Sequence, residues 1–215
     1  MQSALSSKNS KYGVVMYPSP NVKDYLDLSI ASVVASCRKV ANEKTDGVFW
    51  YTPQAFSRES YPSPAHFVRP RGLNIPEIKA SVYGSIAAGA NGQLAFKIGD
   101  PNLPIGSADR NAGIFNSEDM KKGYLEILGN EFKALEQALL GDEFVVKSSG
   151  LMRAWHSNDA DWILLVNVEL KDQTVSVEYP GKLYSFQDER TFTGKVKKIK
   201  LKPYEVLWLV SKKSK

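Results

Sequence analysis

The chain has 215 residues, of which 43% are hydrophobic and 24% are charged, and its formal net charge is +5. These values are those of an ordinary globular protein that buries a core, in one large domain or two small ones. Cys37 is the only cysteine and only two histidines are present, which excludes an internal disulfide and argues against a thiol-rich or histidine-rich metal site. We therefore expect no metal and no other cofactor.

The sequence also gives no sign of a membrane or secretory segment. No apolar run is long enough to span a bilayer, and the N-terminal stretch MQSALSSKNSKYG lacks the apolar region of a secretory signal. As written, the sequence predicts a cytoplasmic protein that does not bind membranes.

Positive charge is concentrated near the C-terminal end, in lysines spread over residues 195–202 and 212–215. Clustered lysines can bind phosphate, which is one interpretation of this run. No set of stacking aromatic residues and no arginine cluster accompanies it. The run is better explained as an edge strand that lysines protect against pairing with other chains, and we expect no nucleic-acid partner.

The first 141 residues are predicted to alternate short buried strands with helices. Residues 13–18 form an apolar run ended by prolines, residues 21–44 have helical periodicity, and residues 47–51 form the next strand. Cys37 lies on the apolar face of the predicted helix, where no basic partner could activate a thiol. It is therefore interpreted as a small core residue rather than a nucleophile.

Residues 74–100 carry the strongest local pattern, a helix followed directly by a strand. Asn74 can cap the helix, Pro76 fits its first turn, and Glu77 stands where a capping box places its acid, so Glu77 is interpreted as a cap rather than a catalyst. A glycine turn leads into a strand at residues 93–98, whose far end delivers Lys97 and Asp100. A helix that leads into a strand in this way is typical of a parallel sheet.

Two loops flank this segment on the face where α/β proteins bind ligands. The loop at residues 55–73 carries side chains able to clamp a polar substrate, among them His66 and Arg69. A surface loop held by aromatic contacts explains the same residues equally well. The second loop, at residues 100–116, ends at Ser117, which is predicted to cap a helix that continues to Gly141.

After Gly141 the pattern changes to short strands separated by turn residues, with no helix between them. Such spacing predicts a small antiparallel sandwich over residues 142–215, joined to an α/β segment over residues 1–141. Trp155, Trp162 and Trp208 lie in apolar runs, so we interpret them as core residues rather than sugar platforms.

The order of these pieces resembles the C-terminal end of a glycoside-hydrolase-like protein, in which a (β/α)8 barrel leads into an antiparallel sandwich. The stretches that carry the resemblance are VVMYPSP, VFWYTPQAF, RPRGLNIPEIKASVYGSIAAGANGQLAF, WILLVNVE and LKPYEVLWLV. The resemblance implies an α/β fold with an incomplete barrel of about three βα units with parallel strands, followed by the sandwich. The three strands would be the sixth, seventh and eighth, and the parent of such a fragment could be secreted.

The same resemblance speaks against catalysis by this chain alone. Glycoside hydrolysis generally uses two carboxylates, and the strand that usually carries the acid is missing here. The end of the seventh strand carries Gln54, an amide that cannot act as a nucleophile. Asp100, at the end of the last strand, is the best-placed carboxylate and the candidate catalytic residue if the barrel is completed.

A carbohydrate partner is expected at the strand ends. Tyr17 and Trp50 could stack on sugar rings, Gln54 and Asp100 could hydrogen-bond to hydroxyl groups, and Arg69 could hold a polar group. His66 and Lys97 complete the candidate substrate-binding set.

A non-catalytic interaction module remains the alternative, with an open sheet edge or the sandwich as the docking surface. Three strands leave two open edges, so a second chain could complete the barrel. A truncated gene product and a different closed packing are also consistent with the sequence.

Overall fold

Helices and strands alternate in the first half of the chain, and strands alone fill the second half. The structure is a computed structural model, and it describes residues 12–15, 30–43, 48–53, 73–94, 99–100, 102–105 and 113–212. In the first half the elements are β1 (Tyr12–Val15), α1 (Ile30–Glu43), β2 (Phe49–Thr52), α2 (Ile75–Ala87) and β3 (Gly92–Gln93).

The first three strands form a parallel sheet in the order β1-β2-β3. This confirms that these segments are neighbouring strands that run in the same direction. Among the described residues, however, most strands are antiparallel and no closed barrel forms. Strand β3 is also shorter than the predicted strand at residues 93–98, of which residues 95–98 lie outside the described residues.

Helix α2 begins as the sequence predicts. The Asn74 side chain accepts a hydrogen bond from the backbone N–H of Glu77, and the Glu77 carboxylate accepts one from the N–H of Asn74. Glu77 is buried in this capping box, which confirms its interpretation as a cap. Gly89, just after the helix, adopts the left-handed conformation with φ of 112° that lets the chain turn into β3.

The helix predicted from Ser117 to Gly141 is interrupted. Ser117 caps it as expected, but the chain then passes from α3 (Glu118–Leu125) into a π-helical segment (Glu126–Glu131) and two short pieces, α4 (Phe132–Ala134) and α5 (Glu136–Leu139). The prediction of one regular helix was therefore wrong in this stretch. A π-helical turn places residues five apart on one face, and here it brings Glu126 and Glu131 to the same lysine.

The second half forms two antiparallel sheets. Its strands are β4 (Asp142–Glu143), β5 (Lys147–Ser148), β6 (Leu151–His156), β7 (Ala160–Val166), β8 (Gln173–Glu178), β9 (Leu183–Ser185), β10 (Thr191–Phe192), β11 (Val196–Leu201) and β12 (Val206–Lys212). The sheets have the orders β10-β9-β12-β7-β6-β4 and β11-β8-β5. The strand predicted at residues 143–146 is replaced by β4 and β5, which lie in different sheets because the chain crosses between them.

Side chains from both antiparallel sheets meet in one apolar core. Ile163, Leu165 and Leu209 of the six-stranded sheet share this core with Val177 and Ile199 of the three-stranded sheet. Strand β11 alternates exposed and buried residues and lies at the edge of its sheet, as its lysines predict.

A second core joins the helices to the opposite face of the six-stranded sheet. Tyr83 of α2 packs edge-on against Trp208 of β12 at 6.0 Å between ring centroids, and Trp208 stacks on Trp155 at 5.5 Å. Both tryptophans are buried, as the sequence indicates. Cys37 lies in the same core, and its burial raises the pKa of the thiol to about 12, which confirms its interpretation as a core residue. Within the described ranges, no helix has the length and apolar character needed to cross a bilayer.

Candidate functional site

Trp50 is the predicted sugar-binding residue that the structure describes in an exposed position. Along β2, Phe49 and Tyr51 are buried against the helices, so the alternation of the strand turns Trp50 to the opposite face of the sheet, where its exposed fraction is 41%. Its partners in register are Gly13 of β1 and Gly92 of β3. An aromatic ring with a glycine on each side presents a flat apolar surface.

The Trp50 ring lies directly on Gly92. A Cβ atom at Gly92 would lie 3.0 Å from the ring, closer than ordinary packing allows. Beneath the sheet, the Tyr51 hydroxyl and the Ser81 hydroxyl of α2 form a buried hydrogen bond of 2.9 Å, which ties β2 to the helix. The Trp50 ring, which we call the platform, is therefore held from one side by the backbone of Gly92. The strand beneath it is held by the buried side chains of Phe49 and Tyr51.

Asp100 lies in a loop that its own carboxylate stabilises. Its Oδ1 accepts hydrogen bonds from the backbone N–H of Asn102 at 2.9 Å and from the Asn102 side chain at 3.0 Å. The amide of Asn116 donates to the backbone carbonyls of Asp100 at 3.1 Å and Leu103 at 2.7 Å, so the loop is fixed to the start of the next helix. Among the described residues, no contact joins Asp100 to Trp50, and the candidate catalytic role of Asp100 stays a prediction.

The other predicted substrate-binding residues fall in parts of the chain that the structure does not describe. These are Tyr17, Gln54, His66, Arg69 and Lys97.

A groove of about 720 Å³ lies beside β3, and Gly92, Gln93 and Leu94 are among the residues that line it. Its walls come from α2, from the interrupted helix and from the six-stranded sheet, and most of them are apolar. Residues that form these walls include Val82, Ile86, Tyr124, Ile127, Phe132 and Trp155. The sequence did not reveal this groove, because its walls come from segments as far apart in the chain as Pro53 and Trp155.

Gln93 of β3 lines this groove, and one of the two polar ends of its side-chain amide has no hydrogen-bond partner among the described residues. Its Nε2 donates to the Val82 carbonyl at 2.6 Å and to the Ser85 hydroxyl at 2.8 Å. Because a carbonyl can only accept, this bond fixes which end of the amide faces the helix. The Oε1 atom is buried and has no hydrogen-bond partner in the described part of the chain. A buried acceptor left in this state costs free energy until a donor reaches it.

Arg153 of β6 is a charged residue that lines the groove. Its Nη1 donates to the carbonyls of Ile86 at 3.0 Å and Ala90 at 2.7 Å, its Nη2 pairs with Glu143, and its guanidinium lies 5.3 Å from the centroid of the Trp155 ring. The Ile86 carbonyl also accepts from the backbone N–H of Gly89, and Ala90 lies just beyond α2, so Arg153 adds a charged donor at the point where the chain leaves the helix. This contact binds the parallel sheet and its helices to the antiparallel sheet.

A compact charged cluster holds the π-helical segment against α2. Lys79 pairs with both Glu126, at 2.9 Å, and Glu131, and the Tyr83 hydroxyl donates to Glu131 at 2.7 Å. Burial alone would lower the pKa of Lys79, but its bonds to the two carboxylates raise that pKa overall. Burial, together with the charge of Glu131, raises the pKa of Tyr83. The cluster is internally paired, which is typical of a structural contact.

Within the described residues, no three histidine, cysteine or acidic side chains come together as a metal site would require.

Comparison with known proteins finds similar solved structures but no matching sequence family. No family model matches the chain, and no curated protein matches it. Its structure is similar to the crystal structure of an α-amylase from Geobacillus thermoleovorans in complex with acarbose, with a TM-score of 0.56 and 13% identity over 87% of this chain. An Anoxybacillus α-amylase gives a TM-score of 0.48 with 13% identity over 84% of the chain. The Geobacillus likeness shows a fold in common.

This chain spans 45% of the length of the Geobacillus chain and 41% of the Anoxybacillus chain. The shared fold therefore covers less than half of the Geobacillus chain.

Proposed function

We propose that this chain is the C-terminal portion of a glycoside-hydrolase-like, carbohydrate-active protein, with a partial barrel over residues 1–141 and an antiparallel sandwich over residues 142–215. In this proposal it binds carbohydrate at the open face and strand ends of the parallel sheet, and it does not hydrolyse glycosides by itself. The observation that carries the proposal is the exposed ring of Trp50. It lies between two glycines on the face of the parallel sheet opposite the helices, which we call the open face. The likeness in fold to an α-amylase that was crystallised with acarbose supports the choice of ligand class.

The physical argument concerns the shape of Trp50 and its surroundings. Large exposed aromatic rings are costly in water unless something covers them, and the apolar face of a sugar ring is a suitable cover. The Trp50 ring rests on the backbone of Gly92, and the bond between Tyr51 and Ser81 holds the strand in place without reaching the open face. The platform is therefore formed before a ligand arrives.

Binding of maltotriose and acarbose, followed by isothermal titration calorimetry, tests the proposal. We expect Trp50→Ala to abolish binding, because it removes the stacking surface, and Trp50→Phe to weaken it. Tyr184→Ala is the matched control, since Tyr184 has a similar exposed fraction of 38% but lies on the antiparallel sheet. Equal binding by Trp50→Ala and the unaltered chain would refute the Trp50 site.

The lack of catalysis is tested separately with nitrophenyl glycosides. The Asp100 carboxylate is engaged by Asn102 in its own loop, and a glycosidase needs a second carboxylate. We expect no release of nitrophenol above background from the chain alone, and no difference between it and Asp100→Asn. Activity that disappears in Asp100→Asn would show that Asp100 is catalytic after all.

A further inference from the structure

Thr52, the last residue of β2, lies on the same face of the parallel sheet as Trp50. Phe49 and Tyr51 are buried against the helices, so the alternation that turns Trp50 to the open face turns the Thr52 side chain there too. Two residues advance a strand by roughly 7 Å, which is about the width of one sugar ring with its hydroxyl groups. The Thr52 side chain therefore lies beside the platform, one ring further toward the carboxyl end of the strand.

The Thr52 hydroxyl forms no hydrogen bond within the part of the chain that the structure describes. The neighbouring hydroxyl groups are engaged: that of Tyr51 pairs with Ser81, and that of Ser85 donates to the Val82 carbonyl. The Thr52 side chain is half-buried rather than fully exposed. Because a hydroxyl both donates and accepts hydrogen bonds, this group is available to a ligand in either role.

The direction of the Thr52 side chain is fixed by its local structure. Threonine is branched at Cβ, which restricts its side-chain rotamers. Its backbone is paired in register with Val15 of β1, and the following residue, Pro53, keeps it extended. Pro53 is itself buried, so the chain is held immediately after Thr52 as well as before it. A group held in place before a ligand arrives loses little conformational entropy on binding.

We propose that Thr52 is a specificity-determining residue of the carbohydrate site, with its hydroxyl hydrogen-bonded to a hydroxyl group of the sugar bound at Trp50. The inference rests on the proposed function, because Trp50 supplies the surface on which the ring stacks. Stacking by itself accepts any flat apolar ring, whereas a hydrogen bond to Thr52 selects a ring that carries a hydroxyl group at its edge. The pair of residues therefore favours a saccharide over an apolar ring of the same size.

Isothermal titration calorimetry with maltotriose tests the role of the hydroxyl. Thr52→Val removes the hydroxyl and keeps the branched shape, and we expect it to bind about fivefold more weakly, as the loss of one neutral hydrogen bond predicts. Thr52→Ser keeps the hydroxyl and should bind within about twofold of the unaltered chain. Thr174→Val is the matched control, since Thr174 is an exposed strand residue of the antiparallel region, and its affinity should be unchanged.

Urea unfolding of the same variants separates ligand binding from a structural role. The Thr52 hydroxyl has no partner among the described residues, so Thr52→Val should unfold at the same urea concentration as the unaltered chain. A lower midpoint for Thr52→Val, together with weaker binding, would mean that the hydroxyl supports the fold and would overturn the inference. Equal weakening of binding by Thr52→Ser and Thr52→Val would also overturn it, because the methyl group would then be the part that matters.

The two proposals fail with different results. Maltotriose binding that is lost in Trp50→Ala but unchanged in Thr52→Val would reject the role of Thr52 and leave the carbohydrate site standing. No binding of maltotriose or acarbose by the unaltered chain would reject the carbohydrate site, and the role of Thr52 with it.

Discussion

Arg153 lies on strand β6, but it forms hydrogen bonds to the chain at and just after the end of helix α2. Its position on β6 would ordinarily suggest a solvent-exposed arginine, yet its side-chain exposure is only 12% and two of its hydrogen bonds go to the end of α2. It donates to one carbonyl in the last turn of α2 and to one in the turn that follows, and its positive charge lies at the favourable end of the helix dipole.

Arg153→Met is expected to lower the free energy of unfolding by about 2–3 kcal/mol, because hydrogen bonds to a charged donor are lost and the helix carbonyls remain partly buried. Methionine retains much of the apolar stem that covers Trp155. Urea unfolding followed by circular dichroism measures the change, and Lys171→Met, at an exposed turn, should stay within about 0.5 kcal/mol of the unaltered chain. A change no larger than that of Lys171→Met would mean that solvent satisfies the end of α2.

The contrast between Asn74 and Arg153 shows which residue roles could be predicted from the sequence. Asn74 and Glu77 act on one another across three positions, and their capping box was predicted correctly from local chemistry. Arg153 and Gln93 could not be predicted in this way. Arg153 reaches carbonyls 63 and 67 positions away, and nothing local marks it out. The isolated Oε1 of Gln93 depends on the geometry of α2 as well as on its own strand.

At the scale of the element, the interruption of the helix after Ser117 coincides with a charged contact to α2. The π-helical segment brings Glu126 and Glu131, five positions apart, to one lysine on α2. The start of this helix was predicted correctly and its middle incorrectly, because the contact that accompanies the interruption involves a lysine 47 residues earlier in the chain. The same limit applies to β4 and β5, where a four-residue strand prediction missed a crossing between sheets.

Lys79→Met should destabilise the protein by about 1 kcal/mol more than Lys39→Met. Lys79 joins two carboxylates and is 21% exposed, whereas Lys39 forms a single exposed pair with Glu43 at 3.9 Å. Loss of Lys79 leaves Glu126 and Glu131 to repel one another. Urea unfolding of both variants at neutral pH gives the comparison, and equal effects would show that the cluster adds nothing beyond an ordinary surface pair.

The pH dependence of this cluster has a definite sign. The pKa of Lys79 is raised above its ordinary value of 10.5 in the folded state, so its stabilising effect is complete below pH 10.5 and is lost as the pH rises through the folded-state pKa. The stability difference between the unaltered chain and Lys79→Met should therefore be constant from neutral pH to about pH 10 and should shrink above that. A difference that stays constant to higher pH would mean that the lysine charge is not what stabilises the segment.

Strand β11 carries a buried charged residue, Lys197, at the edge of its sheet. Its residues alternate in exposure, and the inward position of Lys197 is only 2% exposed, with Nζ donating to the carbonyl of Tyr179 at 2.6 Å. Burial lowers the pKa of Lys197. An inward-pointing charge makes an edge strand unsuitable for pairing with a further strand. The edge of β11 is therefore protected, in contrast to the apolar groove beside β3.

At the scale of the whole molecule, the two halves of the chain share a core. Trp155 and Trp208 belong to the antiparallel sheet, but they pack with Tyr83 and the helices of the first half. The fold class of each half could be predicted from the sequence, because strand and helix periods differ locally. The shared core could not, since it depends on which face of the six-stranded sheet the helices cover. A boundary near residue 141 in the chain therefore does not separate two independent cores.

This shared core predicts that the two halves unfold together. Backbone amide hydrogen exchange of Val177 and Ile199, which lie in the core between the two antiparallel sheets, reports the second half. The helices all lie before residue 141 in the described part of the chain, so the helical circular dichroism signal reports the first half. In urea the two signals should give one midpoint within error, because exposing Tyr83 also exposes Trp208. An exchange midpoint clearly above the helical one would mean that the antiparallel sheets stay folded after the helices leave, and that their own core holds them without the shared one.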